Sequence, residues 1–177
     1  MTILTVGHSN RTLDEFLALL HAHEIARVVD VRTSPRSRFN PHFNRNALQD
    51  ALEKVGIAHT HMPTLGGLRQ PQPDSINTAW EDERFRAYAD YMQTPEFAEA
   101  LAELVAIAES DRIVVMCAEA DPERCHRSLI ADALTVRGVD ALHILDAATT
   151  QPHKLTSFAR VADGVLSYPG GPTLFGG

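Results

Sequence analysis

The stretch VVMCAEADPERCHRSLIADAL, residues Val114 to Leu134, gives the strongest indication of the fold class. Its first residues form a continuous apolar run that ends at Cys117, which is typical of a strand buried on both faces of a parallel sheet. A short acidic loop follows, and an apolar pattern with helical spacing begins after it. A buried strand, a loop and an amphipathic helix in this order predict the repeating unit of an α/β domain.

The rest of the chain repeats this alternation. Strand-forming runs occur at residues 2–6, 26–31, 57–62, 112–117 and 141–145, and helical patterns at about 12–20, 44–56, 80–92, 94–109 and 121–137. The last helix is expected to begin at Asp121-Pro122-Glu123, the usual order of residues at a helix N-terminus. We predict a single-domain, three-layer α/β fold with a mostly parallel five-stranded sheet over residues 1–146. Residues 147–177 are expected to be an irregular C-terminal tail packed on the same domain.

Length and composition limit the possible classes of protein. A chain of 177 residues that is 44% apolar is long enough for one well-buried core. It contains no apolar run of about 18 residues and no secretory signal pattern, so we expect no membrane contact and a cytoplasmic location. Two cysteines are too few for a disulfide scaffold, and in a reducing compartment they are thiols, metal ligands or nucleophiles.

The charged residues indicate an anionic ligand. The formal net charge of −7 argues against broad adhesion to nucleic acid, which needs a basic surface. The chain nevertheless has 14 arginines against 2 lysines, and residues 31–49 contain four arginines and no acid. A guanidinium offers a planar fork that suits phosphate, sulfate or carboxylate. We therefore expect a small anionic ligand, and the end of a nucleic acid is a weaker alternative that rests on this loop alone.

The loops after the predicted strands carry the unusual polar residues. In parallel α/β sheets, ligands bind beyond the carboxyl ends of the strands, so loops 7–11, 32–40, 66–69 and 117–127 are expected to share one rim. The predicted ligand-binding residues in these loops and at the following helix are Ser9, Asn10, Arg32, Arg36, Arg38, Arg69, Arg127 and Ser128. The predicted catalytic residues are His8, Cys117, Glu119 and His126.

The two cysteines, Cys117 and Cys125, admit three interpretations: a metal site, a nucleophile with its partner, or two packing residues. Structural zinc sites usually space paired ligands two to four residues apart. Seven residues separate these cysteines, so we predict no metal and no cofactor. Helix amides near Cys117 would lower the pKa of its thiol, which favours Cys117 as nucleophile or sulfur carrier. Cys125 is then a candidate resolving thiol or a residue of the core.

A strand that ends in Asp-Val-Arg at residues 30–32, and a later strand that ends in cysteine before a loop, Arg-Ser and a helix, resembles rhodanese-type sulfurtransferases. The resemblance to cysteine phosphatases is more distant. In those families the loop after the cysteine wraps an anion with its amides, and an arginine completes the site. The intervals from Cys117 to Arg124 and to Arg127 are longer than in the phosphatase loop.

A second resemblance covers most of the chain. The segments TVGHSNRTLDEFL, VVDVRTSPRSRFNPHFN, LGGLR, FRAYADYM, MCAEADPERCHRSLIADAL and LTSFARVADGVLSYPGGPTLF, in this order, resemble the bacterial and archaeal family called domain of unknown function 488. This resemblance implies that the characteristic motifs of the family contain His8, Ser9, Asn10, Arg32, Pro35, Arg36, Arg38, Cys117, Glu119, Cys125, His126 and Arg127.

Two functional hypotheses remain open from the sequence. The first is a small cysteine-dependent enzyme, a transferase or hydrolase, that acts on an anion containing sulfur or phosphate. The second is a non-catalytic module that binds an anion or a nucleic-acid end, with a Cys/His metal site as a variant. The two differ in whether Cys117 is reactive.

Overall fold

A computed structural model describes residues 1–171 of the chain, and it has the predicted α/β fold. The helices are α1 (Leu13–Ala22), α2 (Arg45–Lys54), α3 (Glu83–Tyr91), α4 (Pro95–Ser110) and α5 (Arg127–Val136). The strands are β1 (Thr2–Gly7), β2 (Arg27–Asp30), β3 (Ala58–His61), β4 (Ile113–Cys117), β5 (Asp140–Ile144), β6 (Thr150–Pro152), β7 (Arg160–Ala162) and β8 (Val165–Ser167). The prediction of a mostly parallel sheet is confirmed.

Within residues 1–171, the main sheet has six strands in the order β3-β2-β4-β1-β5-β6. The five predicted strands pair in parallel, and β6 adds an antiparallel edge strand. β6 lies in the segment that was expected to be an irregular tail, as does the antiparallel hairpin of β7 and β8. The last six residues of that segment, 172–177, lie outside the described part of the chain.

Helices cover both faces of the sheet, which gives the three layers. One core cluster joins α1 and α2 to one face through side chains such as Phe16, Leu48 and Val114. The other cluster joins α3, α4 and α5 to the opposite face, with Leu104 and Leu129 among its buried residues. Because adjacent residues of a strand point to opposite faces, the apolar run in β4 contributes to both clusters, as expected for a central parallel strand.

The strand order brings three loops together. β4 lies between β2 and β1, with Gly7 opposite Cys117 and Asp30 opposite Met116. The chain after β1 continues alongside the chain after β4, because the amides of His8 and Ser9 donate to the carbonyls of Cys117 and Ala118 at 2.9 Å. The loops after β1, β2 and β4 therefore leave the same edge of the sheet.

Glycine at position 7 permits the close approach of the loop after β4. A Cβ atom at Gly7 would lie 1.8 Å from the carbonyl oxygen of Glu119. This distance is too short for any residue with a side chain. The backbone at Glu119 therefore crosses directly over the end of β1. This crossing turns the Glu119 carbonyl toward the interior, where it becomes part of the site.

Candidate functional site

A cavity of about 580 Å³ opens at the carboxyl ends of β1, β2 and β4. All four loops that were expected to share one rim contribute to its lining, and α3 adds a further wall. The lining residues from the loops are His8, Ser9, Arg32, Thr33, Ser34, Arg36, Ser37, Asn40, Gly67, Leu68, Cys117, Ala118, Glu119, Arg124, Cys125 and His126. Arg84, Phe85 and Tyr88 form the wall from α3. The volume suits a small organic molecule rather than a bare inorganic ion.

The two cysteines meet at the surface of this cavity. Both are free thiols, and the Sγ atoms of Cys117 and Cys125 lie 2.7 Å apart. Their exposed fractions are only 3% and 6%. The two sulfurs are thus a contacting pair, and neither cysteine is an isolated packing residue.

Cys125, and not Cys117, lies at the start of α5. The predicted start at Asp121 is wrong, because Asp121 caps a single 3-10 turn, Pro122–Arg124, by accepting from the Glu123 amide at 2.9 Å. The α-helix begins at Arg127, whose backbone amide lies 3.5 Å from the Cys125 Sγ. The partial positive charge of a helix N-terminus is therefore directed at Cys125.

Arg127 is the charged group closest to the sulfur pair. Its side chain is 1% exposed, although arginine at a helix start usually reaches solvent. Its Nε donates to the Cys117 Sγ at 2.9 Å, one terminal nitrogen donates to the Thr5 hydroxyl at 3.0 Å, and the other donates to the Glu119 carbonyl. Within residues 1–171, no carboxylate lies within ion-pair distance of this guanidinium.

The contact between the sulfurs shifts the pKa values of the two thiols in opposite directions. The hydrogen bond from Cys117, and then His126 and Arg127, lower the pKa of Cys125 well below its usual range, although burial opposes this. Burial, and then the hydrogen bond and charge of Cys125, raise the pKa of Cys117 well above its usual range. The pair therefore loses one proton easily and holds the second. Burial tends to lower the pKa of Arg127, but the sulfur charges outweigh this and raise it.

His126 lies beside the pair and is incompletely bonded. Its Nδ1 is 3.6 Å from the Cys125 Sγ, and its ring packs against that of Tyr88 with centroids 5.1 Å apart. Its Nε2 is buried and has no hydrogen-bond partner within the described residues. Nδ1 is therefore the imidazole nitrogen beside the sulfur pair, and the unpartnered Nε2 is enclosed by protein.

Glu119, expected to be catalytic, lines the cavity but acts on the pair only through its backbone. Its carbonyl accepts from Arg127, and its carboxylate accepts from the Asp121 amide at 3.1 Å, which stabilises the loop. The residue is exposed, and within residues 1–171 its carboxylate makes no hydrogen bond to either sulfur.

His8 and Arg32 form a second buried group in the lining of the cavity. His8 Nδ1 donates to the Ser9 carbonyl at 2.8 Å, which leaves Nε2 to accept from Arg32 at 3.2 Å. Burial is the main cause that lowers the pKa of His8 to about 4, so the ring is neutral at neutral pH. Arg32 is largely committed to Asp30, with contacts at 2.8 and 2.6 Å. Burial opposes the effect, but the hydrogen bonds from Arg32 and the nearby His59 ring lower the pKa of Asp30 to about 2.

The other predicted ligand-binding residues separate into two groups. Ser9 and Arg36 line the cavity, whereas Asn10, Arg38, Arg69, Arg127 and Ser128 do not contribute to its lining. Arg69 instead donates to the Pro63, Thr64 and Gly66 carbonyls and lies 3.5 Å over the Tyr91 ring. Ser128 donates to the Cys125 carbonyl at 2.9 Å, so its hydroxyl is used within the helix start.

Sequence reasoning missed the contribution of α3 and Arg124 to the cavity. Arg84 and Arg124 are exposed at its edge, with side chains 81% and 80% accessible. They join Arg36 in an arginine rim, which we define as Arg36, Arg84 and Arg124. Asp82 pairs with Arg84 at 2.8 Å, and Asp121 lies 4.0 Å from Arg124, so the rim is only partly neutralised. The FRAYADYM segment, residues 85–92, begins directly after Arg84 and contains Phe85 and Tyr88. It does not follow a predicted strand, so the rule that ligands bind beyond strand ends did not point to it.

The family model called domain of unknown function DUF488 matches residues 12–134, more than half of the chain. The chain belongs to the DUF488 family. No curated protein and no solved structure matches it significantly. The DUF488 match contains both cysteines, Arg127 and the whole arginine rim, whereas β1 and every residue after Leu134 lie outside it.

Two further findings concern metal and membrane. In the described residues 1–171 of this DUF488 protein, no group of three or more His, Cys, Asp or Glu side chains is arranged to hold a metal ion. Over the same residues, no helix combines the length and the apolar character needed to cross a bilayer.

Proposed function

We propose that this DUF488 protein is a thiol-dependent enzyme that acts on a small organic anion carrying an electrophilic sulfur atom. The observation that carries the proposal is the buried Arg127 guanidinium against the Cys117–Cys125 pair. The proposed nucleophile is Cys125, and Cys117 is the second thiol. We place this chemistry in the cytoplasm, where thiols are kept reduced.

The charge on Arg127 supports a thiolate in the pair. A guanidinium remains protonated in proteins, and an uncompensated buried charge costs several kcal/mol. Among the described residues no carboxylate compensates it, so the groups in contact that can carry a negative charge are the two sulfurs. A thiolate shared by the pair satisfies the guanidinium and supplies the reactive form of cysteine.

The cavity supports an anionic ligand of organic size. The arginine rim offers guanidinium groups at the mouth, and Ser34 and Ser37 add hydroxyl groups near them. Phe85, Tyr88 and Leu68 form an apolar side. An anionic head with an apolar or extended body fits this combination better than sulfate alone.

The two contacting thiols favour chemistry at sulfur over chemistry at phosphorus. A phosphoryl transfer to cysteine needs one nucleophile and gains nothing from a second thiol in contact with it. Attack on sulfur leaves the first cysteine as a mixed disulfide or persulfide, which a neighbouring thiol can resolve. Sulfurs that already lie 2.7 Å apart need little movement for that second step.

The reaction balances as a two-electron reduction of the substrate. The Cys125 thiolate attacks the sulfur of R–S–X, a new S–S bond forms to RS, and X⁻ leaves with the electron pair. The Cys117 sulfur then attacks the Cys125 sulfur, gives up its proton, and releases RSH as the intramolecular disulfide forms. An external dithiol returns the enzyme to its reduced form and is itself oxidised to a disulfide. His126 is the group beside the pair that receives or returns the proton.

The direct experiment uses cysteine S-sulfonate as the probe, because it is a small anion in which sulfite is the leaving group. We expect the reduced protein to release one sulfite and one cysteine per chain, and peptide mass spectrometry to find a Cys117–Cys125 disulfide. Cys117→Ser should release sulfite but stop with cysteine bound to Cys125. Cys125→Ser should release none.

A binding module is the alternative outcome of the same experiment. If the probe binds and wild-type protein releases no sulfite, the site is an anion-binding site without thiol chemistry and the proposed function is wrong. If Cys125→Ser reacts as fast as wild type, the assignment of the nucleophile is wrong.

A further inference from the structure

A buried chain of hydrogen bonds begins at Arg127 and leads away from the cavity. The Thr5 hydroxyl accepts from Arg127 at 3.0 Å and lies 2.7 Å from the His143 Nδ1. The His143 Nε2 is 3.0 Å from the His153 Nδ1, and the His153 Nε2 is 2.7 Å from an oxygen of Asp132. We call Thr5, His143, His153 and Asp132 the buried relay.

The two ends of the buried relay, together with two neutral imidazoles, give one direction of donation along it. Arg127 can only donate, and the Asp132 carboxylate can only accept. With both imidazoles neutral, His153 donates to Asp132 and His143 donates to His153, which leaves the His143 Nδ1 as an acceptor. The Thr5 hydroxyl then donates to His143 while its oxygen accepts from Arg127. In this arrangement the hydrogen bonds connect the buried Arg127 cation to the buried Asp132 anion, and each group between them donates one hydrogen bond and accepts one.

The electrostatics favour this arrangement. Burial, then the nearby His153 and Arg127, lower the pKa of His143 to about 4, so its ring is neutral at neutral pH. Asp132 is fully buried in α5, and it also accepts from the Tyr168 hydroxyl at 2.8 Å and the Thr156 amide at 3.0 Å. These contacts hold the anion at the far end of the relay. His153, Thr156 and Tyr168 all belong to the segment after β5.

We propose that Thr5, His143, His153 and Asp132 are positioning residues that hold the Arg127 guanidinium against the Cys117 sulfur. The proposal rests on the proposed function, because it concerns the same thiol pair. It also assigns a role to the C-terminal segment, which supplies His153. None of these four residues lines the cavity, so they act through Arg127 and do not touch a bound molecule.

The geometry explains why Arg127 needs this support. Its side chain donates to one sulfur, one backbone carbonyl and one hydroxyl. Of these partners, the hydroxyl is the one whose hydrogen atom can rotate toward or away from the guanidinium. A Thr5 hydroxyl that donates to His143 must present its lone pairs to Arg127. Without that constraint the guanidinium loses a partner and can turn away from Cys117, and the thiolate loses part of its stabilisation.

Substitution of Thr5 removes no charged group and no cavity-lining side chain from the surroundings of the sulfur pair. The titratable or charged side chains that share the cavity with the pair are His8, Arg32, Arg36, Arg84, Tyr88, Glu119, Arg124 and His126. A change in thiol ionisation that follows substitution of Thr5 therefore reports on Arg127. A merely structural contribution of Thr5 would lower stability and leave the thiol titration where it is.

The test is a pH titration of the thiolate absorbance of the full chain, with thermal melting as a check of folding. Thr5→Val keeps the shape and removes the hydroxyl, and we expect it to raise the titration midpoint by about one unit. Thr5→Ser restores the hydroxyl and should return the midpoint to the wild-type value. Thr135→Val is the matched control, because it removes a hydroxyl that donates to the Ala131 carbonyl within α5, outside the relay, and it should leave the midpoint unchanged.

His143→Gln and His153→Gln provide independent variants if Thr5→Val does not fold. Either should raise the midpoint, since each interrupts the hydrogen bonds that orient the Thr5 hydroxyl. Folded Thr5→Val, His143→Gln or His153→Gln with the wild-type midpoint would overturn the positioning role and leave the proposed function intact. A wild-type midpoint at or above about 8.5 would instead overturn the proposed function, and the shift between wild type and Thr5→Val would still decide the positioning role.

Discussion

The Nε of Arg127 donates to the Sγ of Cys117 across 2.9 Å in a region that water hardly reaches. This one contact couples a permanent cation to a pair of thiols. A hydrogen bond to a charged group is worth about twice a neutral one, and low local polarity strengthens it further. The acidity of the pair therefore depends on Arg127 more than on any exposed arginine.

Substitution of Arg127 should change the thiol chemistry strongly. In Arg127→Gln the cation is lost, and we expect the titration midpoint of the pair to rise to about 8.5 or above, the ordinary value for cysteine. Arg127→Lys keeps the charge but cannot donate to all three present partners, so its midpoint should lie between those of wild type and Arg127→Gln. Thiolate absorbance against pH measures both. Equal midpoints in wild type and Arg127→Gln would contradict the role of the guanidinium.

Arg36 and Arg38 form a matched pair for testing anion recognition. Both are exposed arginines in the same loop, but Arg36 lines the cavity and Arg38 does not. We expect Arg36→Ala to weaken binding of cysteine S-sulfonate several-fold and Arg38→Ala to leave it unchanged. Isothermal titration on the Cys125→Ser background avoids turnover. Equal losses in the two variants would mean that the loop attracts anions only through its general charge.

Gly67 tests the position of His126. A Cβ atom at Gly67 would lie 2.7 Å from the His126 Nδ1, closer than side chains tolerate. Gly67→Ala should therefore displace the imidazole from Cys125 and slow alkylation at neutral pH several-fold. Gly171→Ala is the control, because a Cβ there meets no atom within 4 Å. Unchanged alkylation in Gly67→Ala would show that His126 has no part in activating the thiol.

The buried neutral histidines should make the fold sensitive to acid. His8 and His143 have pKa values of about 4 in the folded chain against 6.5 as model groups. Between those values the unfolded chain binds more protons than the folded chain. The contribution of these histidines to the free energy of unfolding is therefore fully present above about pH 6.5 and is lost as the pH drops toward 4. Each histidine contributes a slope of about 1.4 kcal/mol per pH unit in that interval. Urea unfolding measures it.

The control for this acid sensitivity is removal of one titrating ring. His143→Gln cannot bind the extra proton, so its unfolding free energy should depend less steeply on pH than that of wild type. A wild-type unfolding free energy that stays constant over the interval would contradict the buried, neutral state of both histidines.

The sheet could be predicted from sequence because its strands carry strong local signals. The short apolar run of β4, followed by a loop, indicates a buried parallel strand. The loops that follow parallel strands lie together at the carboxyl ends of those strands. The edge strand β6 could not be predicted in this way, since Thr150–Pro152 is short, polar and largely exposed. Its register depends on contact with β5, which local sequence does not encode.

The start of α5 was misassigned for a physical reason. Asp121 does accept from a backbone amide in the way an N-cap does, but it caps one 3-10 turn. The chemistry of the cap is the same for both helix types, so the pattern alone does not determine where the α-helix begins. The difference moves the helix N-terminus from the Cys117 side of the loop to Cys125.

The burial of Arg127 and the buried relay depend on tertiary contacts. Hydropathy predicts an exposed arginine near a helix start, and only the arrangement of sulfur, hydroxyl and carbonyl partners makes the interior favourable. His143 and His153 are ten residues apart in sequence and have no motif that would connect them to the cysteines. Their relation to Cys117 exists only in the folded chain.

The proposed function requires a Cys125 thiolate at neutral pH, stabilised by Cys117, His126 and Arg127. The most direct measurement is iodoacetamide alkylation of reduced wild-type protein against pH, with each cysteine followed separately by peptide mass spectrometry. We expect Cys125 to react first, with a midpoint well below about 8.5, and Cys117 to react only at higher pH. Reaction of Cys117 before Cys125, or a Cys125 midpoint at or above about 8.5, would contradict it.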